Sequence, residues 1–360
     1  MSLARLRPGV AGAAMVTVVL AAGATLLLLH PTAKRAPQKA TSSPAVPSGS
    51  PLSPQTPEVS PTHTATATAE PSPTPSRSAT PPPTAPASSP PHIMVIMEEN
   101  QGYSATLGSC GSGSPDPYLC SLAGEYASAT AWFGVTHPSL PNYVAIVSGS
   151  TQGCTSDSCV GAGGYAATDL GGQLSSARIP WTAYMEGMPS PCYTGDSSGE
   201  YVLKHNPFIV FKDNLPPSSC HDLPYPGAAN LLSALDASGA PDFVWITPNL
   251  NDDMHDGTIQ QADQWLQANL SGVLTSAWFR ANGTILITMD EGTGDSGCCG
   301  GAAGGQVPMV VISSNAKGKG NFATPGDHYG ALRTIEEAYG LPLLGAAANS
   351  ANGDLRYLLG

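Results

Sequence analysis

Short apolar runs that end abruptly in carboxylates constrain what this chain can fold into. Ile93 to Met97 leads into Glu98-Glu99-Asn100, Phe243 to Thr247 into the stretch from Pro248 to Asp256, and Thr284 to Met289 into Asp290-Glu291-Gly292. A fourth run, Met309 to Ser313, follows a glycine-rich loop and leaves through Ser314-Asn315. Apolar runs of this length, without polar alternation, are those of strands buried on both faces of an α/β sheet. Helical periodicity lies between and after them. In Thr258 to Asn269 the apolar Ile259, Ala262, Trp265 and Leu266 share one face, and Leu332 to Tyr339 reads as a further helix. In open parallel α/β sheets, ligand-binding residues collect at the carboxyl ends of the strands. The expectation is an α/β protein with a mostly parallel central sheet. Its strand ends bring Glu99, Asn100, Asp253, His255, Asp290 and Glu291 to one edge.

Composition divides the chain into three. Residues 1–35 carry Arg5 and Arg7 and then an uncharged run from Pro8 to Leu29. Its more apolar part, from Val10, approaches the roughly 20 residues that span a bilayer. It is expected to be a signal-anchor or a cleaved signal peptide, which leaves the remainder extracytoplasmic, membrane-anchored at the cell surface or secreted. Residues 36–91 are dominated by Pro, Ser, Thr and Ala, have little to bury, and are expected to form a disordered linker. Residues 92–360 have the composition of a globular domain, long enough to bury one sizeable core.

Charge follows the same boundary. Of the 14 Lys+Arg and 26 Asp+Glu, six and two precede His92, so the domain carries a net −16. That excludes nucleic acid as the main ligand. An anionic ligand would need a bound cation to reverse the local field. The eight cysteines all lie in the domain and fit an exported, oxidised protein. The expected pairs are Cys154 with Cys159, Cys192 with Cys220 and Cys110 with Cys120. Cys298 and Cys299 either bridge to each other or pair elsewhere.

Hard carboxylate oxygens with one or two imidazoles suit a divalent cation, with Mg, Mn, Ca and Zn all compatible. The stretch Thr136 to Gly149 supplies a hydroxyl for such a site. Pro141 suits the first position of a helix and Gly149 its end, which puts Ser139 just before a helix N-terminus. Free backbone N–H groups there favour an anion such as phosphate. The competing reading is a capping serine. Lys204 and His205, in Tyr201 to Phe208, offer charge or a proton to a phosphoryl group.

Five segments, in order, resemble one family. They are Met97-Glu98-Glu99-Asn100, Thr136-His137-Pro138-Ser139-Leu140-Pro141-Asn142-Tyr143, Lys204-His205-Asn206-Pro207-Phe208, Asp253-Met254-His255-Asp256 and Met289-Asp290-Glu291-Gly292. The set is similar to the phosphoesterase family of acid phosphatases and phospholipases C, within the alkaline-phosphatase-like superfamily. The resemblance implies a three-layer α/β/α sandwich and metal-dependent phosphoryl transfer to a hydroxyl nucleophile, Ser139, with Thr136 as the alternative. It implies metal ligands among Glu99, Asn100, Asp253, His255, Asp290, Glu291 and His328. His137 or His205 is expected to protonate the leaving group, and Asn142, Lys204 and Asn206 to contact substrate. Two-zinc relatives have Asp-His pairs where this chain has Asp290-Glu291 and Glu99-Asn100, so one hard cation is the better fit. The implied activity is an acid-phosphatase-like phosphomonoesterase working through a phosphoseryl intermediate. A phospholipase C or other phosphodiesterase, and a non-catalytic, surface-anchored metal-binding domain, are the alternatives.

Overall fold

The structure, a computed structural model, describes residues 90–215, 220–316 and 318–359. The expected leader, and all of the expected linker except Pro90 and Pro91, lie outside the described residues. Among the described residues no helix is long and apolar enough to cross a membrane.

Among the described residues eleven strands follow in chain order: β1 (His92–Glu98), β2 (Ala127–Phe133), β3 (Trp181–Met185), β4 (Ser197–Ser198), β5 (Tyr201–Val202), β6 (Asp222–Pro224), β7 (Phe243–Thr247), β8 (Gly283–Met289), β9 (Gln306–Ser313), β10 (Gly320–Phe322) and β11 (Gly326–Asp327). β4 and β5 form a small hairpin; the others make one sheet in the order β10-β2-β9-β8-β1-β7-β3-β6, with β11 also pairing with β2. Its centre is β8-β1-β7, all parallel. The registers set Glu98 opposite Met289 and Ile96 opposite Ile246, so the three acidic exits leave the sheet nearly level. Almost every residue of these strands is buried, as their unbroken apolar runs require.

The fourth apolar run is β9, but it is antiparallel to both β8 and β2. Its exit, Ser314-Asn315, therefore lies at the end of the sheet away from the acidic edge. The connection explains the reversal. No helix intervenes between β8 and β9, and a parallel return needs a crossover.

Helices cover the sheet as α1 (Pro117–Glu125), α2 (Ser139–Ser148), α3 (Leu170–Ala177), α4 (Ala228–Leu235), α5 (Ile259–Leu270), α6 (Ala277–Arg280) and α7 (His328–Ala338). α2 packs on α7 and α3, and α1 and α4 pack on α5, giving the α/β/α sandwich. α5 buries the expected Ala262, Trp265 and Leu266, and its Asp263 reaches across to accept the first N–H groups of α1 from Tyr118 and Leu119. α7 begins earlier than its apolar pattern suggested, because the Asp327 carboxylate caps the N–H groups of Tyr329 and Gly330. Disulfides join Cys110–Cys120, Cys154–Cys159, Cys192–Cys220 and the adjacent Cys298–Cys299.

Candidate active site

Ser139 is itself the first helical residue of α2, with Pro138 at the cap position, so Pro141 stands two residues further in than expected. The shift costs no hydrogen bond, since N–H groups in a helix's first turn have no partner within the helix. At the other end Gly149 is left-handed, with φ 68°, and a Cβ there would collide with the Leu344 carbonyl. Ser139 is only 2% exposed, and its Oγ donates to Glu99 Oε2 at 3.0 Å.

Asn142 folds back over this entry. Its Oδ1 accepts from the N–H groups of Val135 and Thr136 at 2.8 and 3.0 Å, and its Nδ2 donates to the carbonyls of Thr136 and Pro138 at 2.8 and 3.2 Å. Fully buried and fully bonded, Asn142 clamps the segment that presents Ser139 and is not positioned to touch substrate. Asn206 corrects in the same way. It accepts from the N–H groups of Phe208 and Ile209 and donates to the Tyr201 hydroxyl inside the core. Thr136 Oγ1 donates to the neighbouring His137 carbonyl and makes no carboxylate contact.

The strand exits are stitched together by the main chain. Glu99 N–H donates to the Asp253 carbonyl and Asp290 N–H to that of Glu98. Asn100, left-handed at φ 55°, donates its N–H to Asp290 Oδ1 at 2.9 Å; asparagine tolerates that conformation better than most residues. β2 closes the remaining side. A Cβ on Gly134 would lie 2.8 Å from the Asp290 carbonyl.

His205 stands between two carboxylates, with Nδ1 3.1 Å from Asp253 Oδ2 and Nε2 2.9 Å from Glu99 Oε1. The second contact is a buried ion pair. The His205 ring stacks on Tyr143, ring centroids 5.3 Å apart. His255 faces Asp256 through Nδ1 at 2.7 Å, and its Nε2 lies 3.0 Å from Lys204 Nζ. The ammonium donates there, so the imidazole proton belongs on Nδ1, toward Asp256. His137 contacts Glu291 Oε2 at 2.7 Å and the Gly294 carbonyl at 3.1 Å. His328 Nε2 bonds the main-chain carbonyl of Asp290, bracing the acidic turn from behind, and its buried Nδ1 has no hydrogen-bond partner.

Burial and charge set the protonation states. Burial alone would lower the His205 pKa, but Glu99 and Asp253 override it and raise it to about 10. Burial opposes ionisation of Glu99, yet the His205 imidazolium holds its carboxyl below the usual range. Asp290 goes the other way: burial, then Glu99, then Glu291 push it well up. Burial lowers His328 to about 4, so it is a neutral donor.

The donor set fits a hard cation on the structure's own terms. One potential ligating atom each from Glu99, His205 and His255 lie within 4.8 Å of one another, and His205 would have to give up its proton to serve as a ligand. Asp290 Oδ2 and His328 Nδ1 are buried without hydrogen-bond partners, a cost that a bound cation would remove. Sequence reasoning passed over two residues here. Tyr143 lies four residues from Ser139, one helical turn on, a spacing that flags a shared face. Asp157 had only its place inside the short Cys154–Cys159 loop to mark it, and it accepts from Leu140 N–H and from Lys204.

A mostly parallel sheet covered by helices on both faces is also the fold of a solved member of the alkaline phosphatase superfamily. The chain is similar in fold to a superfamily protein from Vibrio parahaemolyticus (TM-score 0.50, 12% identity, 75% of this chain and 71% of that one). It is also similar to the lipoteichoic acid synthase LtaP from Listeria monocytogenes (TM-score 0.52, 10% identity, 74% and 76%). Within that fold class, residues 112–342 match the Phosphoesterase family, and the chain belongs to it. It is 33% identical over 260 residues to a phosphatidylinositol-3-phosphatase of Mycobacterium tuberculosis, covering 72% of this chain and 80% of that protein. With a phosphate-repressible acid phosphatase of Penicillium chrysogenum it shares 29% identity over 245 residues. That match covers 66% of this chain and 58% of the fungal protein's length. The protein is a phosphoric ester hydrolase.

Proposed function

We propose that this hydrolase is a metal-dependent, acid-phosphatase-like phosphomonoesterase that acts outside the cytoplasm through a phosphoseryl enzyme. The observation that carries the reading is Ser139 Oγ, at the positive end of α2 and 3.0 Å from an ionised Glu99, inside the cluster of buried carboxylates and imidazoles. Glu99, Asn100, Asp290 and Glu291 would hold the cation, with Asp253, His205 and His255 around them. A cation bound there would neutralise phosphoryl charge and favour the alkoxide form of Ser139.

The chain's own groups supply the rest. Glu99 orients the Ser139 hydroxyl and accepts its hydrogen, leaving the oxygen lone pairs free to attack phosphorus in line. The bond from phosphorus to the leaving alkoxide breaks as the phosphoseryl bond forms. His137, with about a third of its side chain exposed, suits the leaving-group acid better than His205, which is enclosed by Glu99 and Asp253. Water then attacks the phosphoserine, releasing inorganic phosphate and restoring the hydroxyl. His328 braces Asp290 through Nε2, while its buried, unpartnered Nδ1 keeps a lone pair for the ligand role expected of it.

The relatives' names, a phosphatidylinositol-3-phosphatase and an acid phosphatase, support a monoesterase over a phospholipase C. Four disulfides fit an oxidising compartment. The expected organisation follows: a leader in 1–35 that secretes or anchors the chain, a linker, and the catalytic domain from 92. Ser139→Ala should cut turnover of p-nitrophenyl phosphate by more than roughly a thousandfold with circular dichroism unchanged. Chelation should abolish wild-type activity, and one of Mg, Mn, Ca or Zn should restore it. A Ser139→Ala enzyme of wild-type rate would remove the phosphoseryl step.

A further inference from the structure

Beside the proposed nucleophile, the groups suited to phosphoryl oxygens already hold an anion. Asp157 Oδ1 accepts from Leu140 N–H at 3.1 Å, and its Oδ2 accepts from Lys204 Nζ at 3.3 Å. Leu140 follows Ser139, so its N–H lies in the first turn of α2, where the helix favours negative charge. Lys204 is tied to the catalytic edge through His255. The neighbouring cationic or donor groups are spent elsewhere: His205 on Glu99 and Asp253, His137 on Glu291 and the Gly294 carbonyl.

Three further observations show that this occupant must yield. Ser139 is 2% exposed, so no ester reaches it without rearrangement. The Asp157 loop is clipped by the Cys154–Cys159 bridge, which delivers the carboxylate to one place. Next to it opens a groove of about 470 Å³, lined by Asp157, Val160, Asp196, Leu203 and Lys204, with room for a displaced side chain or a leaving group.

Resting on Ser139 as nucleophile, we propose that Asp157 is a built-in competitor of the substrate. It stands in for the phosphoryl oxygens at Leu140 N–H and Lys204, and any phosphate ester must displace it to bind beside Ser139. The Asp157 side chain is 37% exposed, so once displaced its charge is screened by solvent.

Asp157→Asn keeps an acceptor for Leu140 N–H and removes the charge, so the fold is retained; thermal melting checks this. The expected result is a rise of up to roughly tenfold in kcat/KM for both p-nitrophenyl phosphate and bis(p-nitrophenyl) phosphate, because the same displacement is removed for each. No rise on either ester, or loss of turnover on both by a folded variant, would overturn the proposal. A second measurement does not depend on turnover. Calorimetry of inorganic phosphate should show tighter binding to Ser139→Ala/Asp157→Asn than to Ser139→Ala, and equal or weaker binding would count against Asp157. If Ser139→Ala keeps its activity, the nucleophile assignment fails, while the calorimetric comparison still judges Asp157 separately.

Discussion

Glu99 takes on tasks that pull in different directions. It accepts the Ser139 hydrogen through Oε2 and holds a charged His205 through Oε1, while its burial alone would favour the neutral acid. The ion pair decides the matter, because a buried imidazolium between two carboxylates is more costly to lose than to keep. The sign of the linkage follows. The His205 pKa is raised to about 10, so its contribution to stability is complete below its unfolded value near 6.5 and fades as pH rises through about 10. Glu99→Gln removes the first of the two charges. In the chelated variant, NMR should show the His205 imidazole titrating at lower pH than in the chelated parent. Hydrolysis should fall by at least roughly a hundredfold, because the Ser139 partner and a cation ligand go together. An unmoved His205 titration would mean that Asp253 alone sustains the imidazolium.

At the scale of elements, the site depends on how α2 is entered. Asn142 joins the end of the β2 loop to the helix by satisfying two N–H groups and two carbonyls. Asn142→Ala leaves those N–H groups buried without an acceptor, which costs about 1–3 kcal/mol. Urea unfolding should show that loss, and kcat should fall further than the lost folded fraction explains, because Ser139 is no longer held against Glu99. If kcat per folded molecule is unchanged, the clamp is structural only. This clamp also marks where sequence stops being informative. β1, β7 and β8 were legible because strands buried on both faces leave unbroken apolar runs, and their exits then follow from parallel packing. The direction of β9 was not legible, since it depends on whether a helix intervenes after β8. Nor were the inward turns of Asn142 and Asn206. An amide side chain serves substrate or main chain equally well by type, and only the path of the surrounding loop decides.

The whole molecule couples two proton balances that run in opposite directions. Away from the catalytic edge, Asp222 is fully buried, and burial together with Asp169 raises it to about 8 against the opposing contact of Asn206; burial raises Asp169 to about 6. Unfolded, both carboxyls titrate near 4. The native state therefore binds more protons than the unfolded state above pH 4, and stability falls as pH rises, until about 6 for Asp169 and about 8 for Asp222. The domain's net −16 adds self-repulsion over the same range. At the edge, Asp290 is raised by burial and by Glu99, and the proposed cation would have to expel that proton to bind, so its affinity should improve with rising pH. Thermal melts between pH 4 and 9 separate the two. The chelated protein should melt highest at the acid end and lose stability steadily toward pH 8. Asp222→Asn, neutral at every pH, should flatten that slope. Metal-loaded protein should recover part of the loss at high pH, where the cation binds best. A melting temperature that rises from pH 5 to 8 without metal would show that the buried carboxyls are ionised in the native state, and would remove both the acid preference and the proton release that it implies.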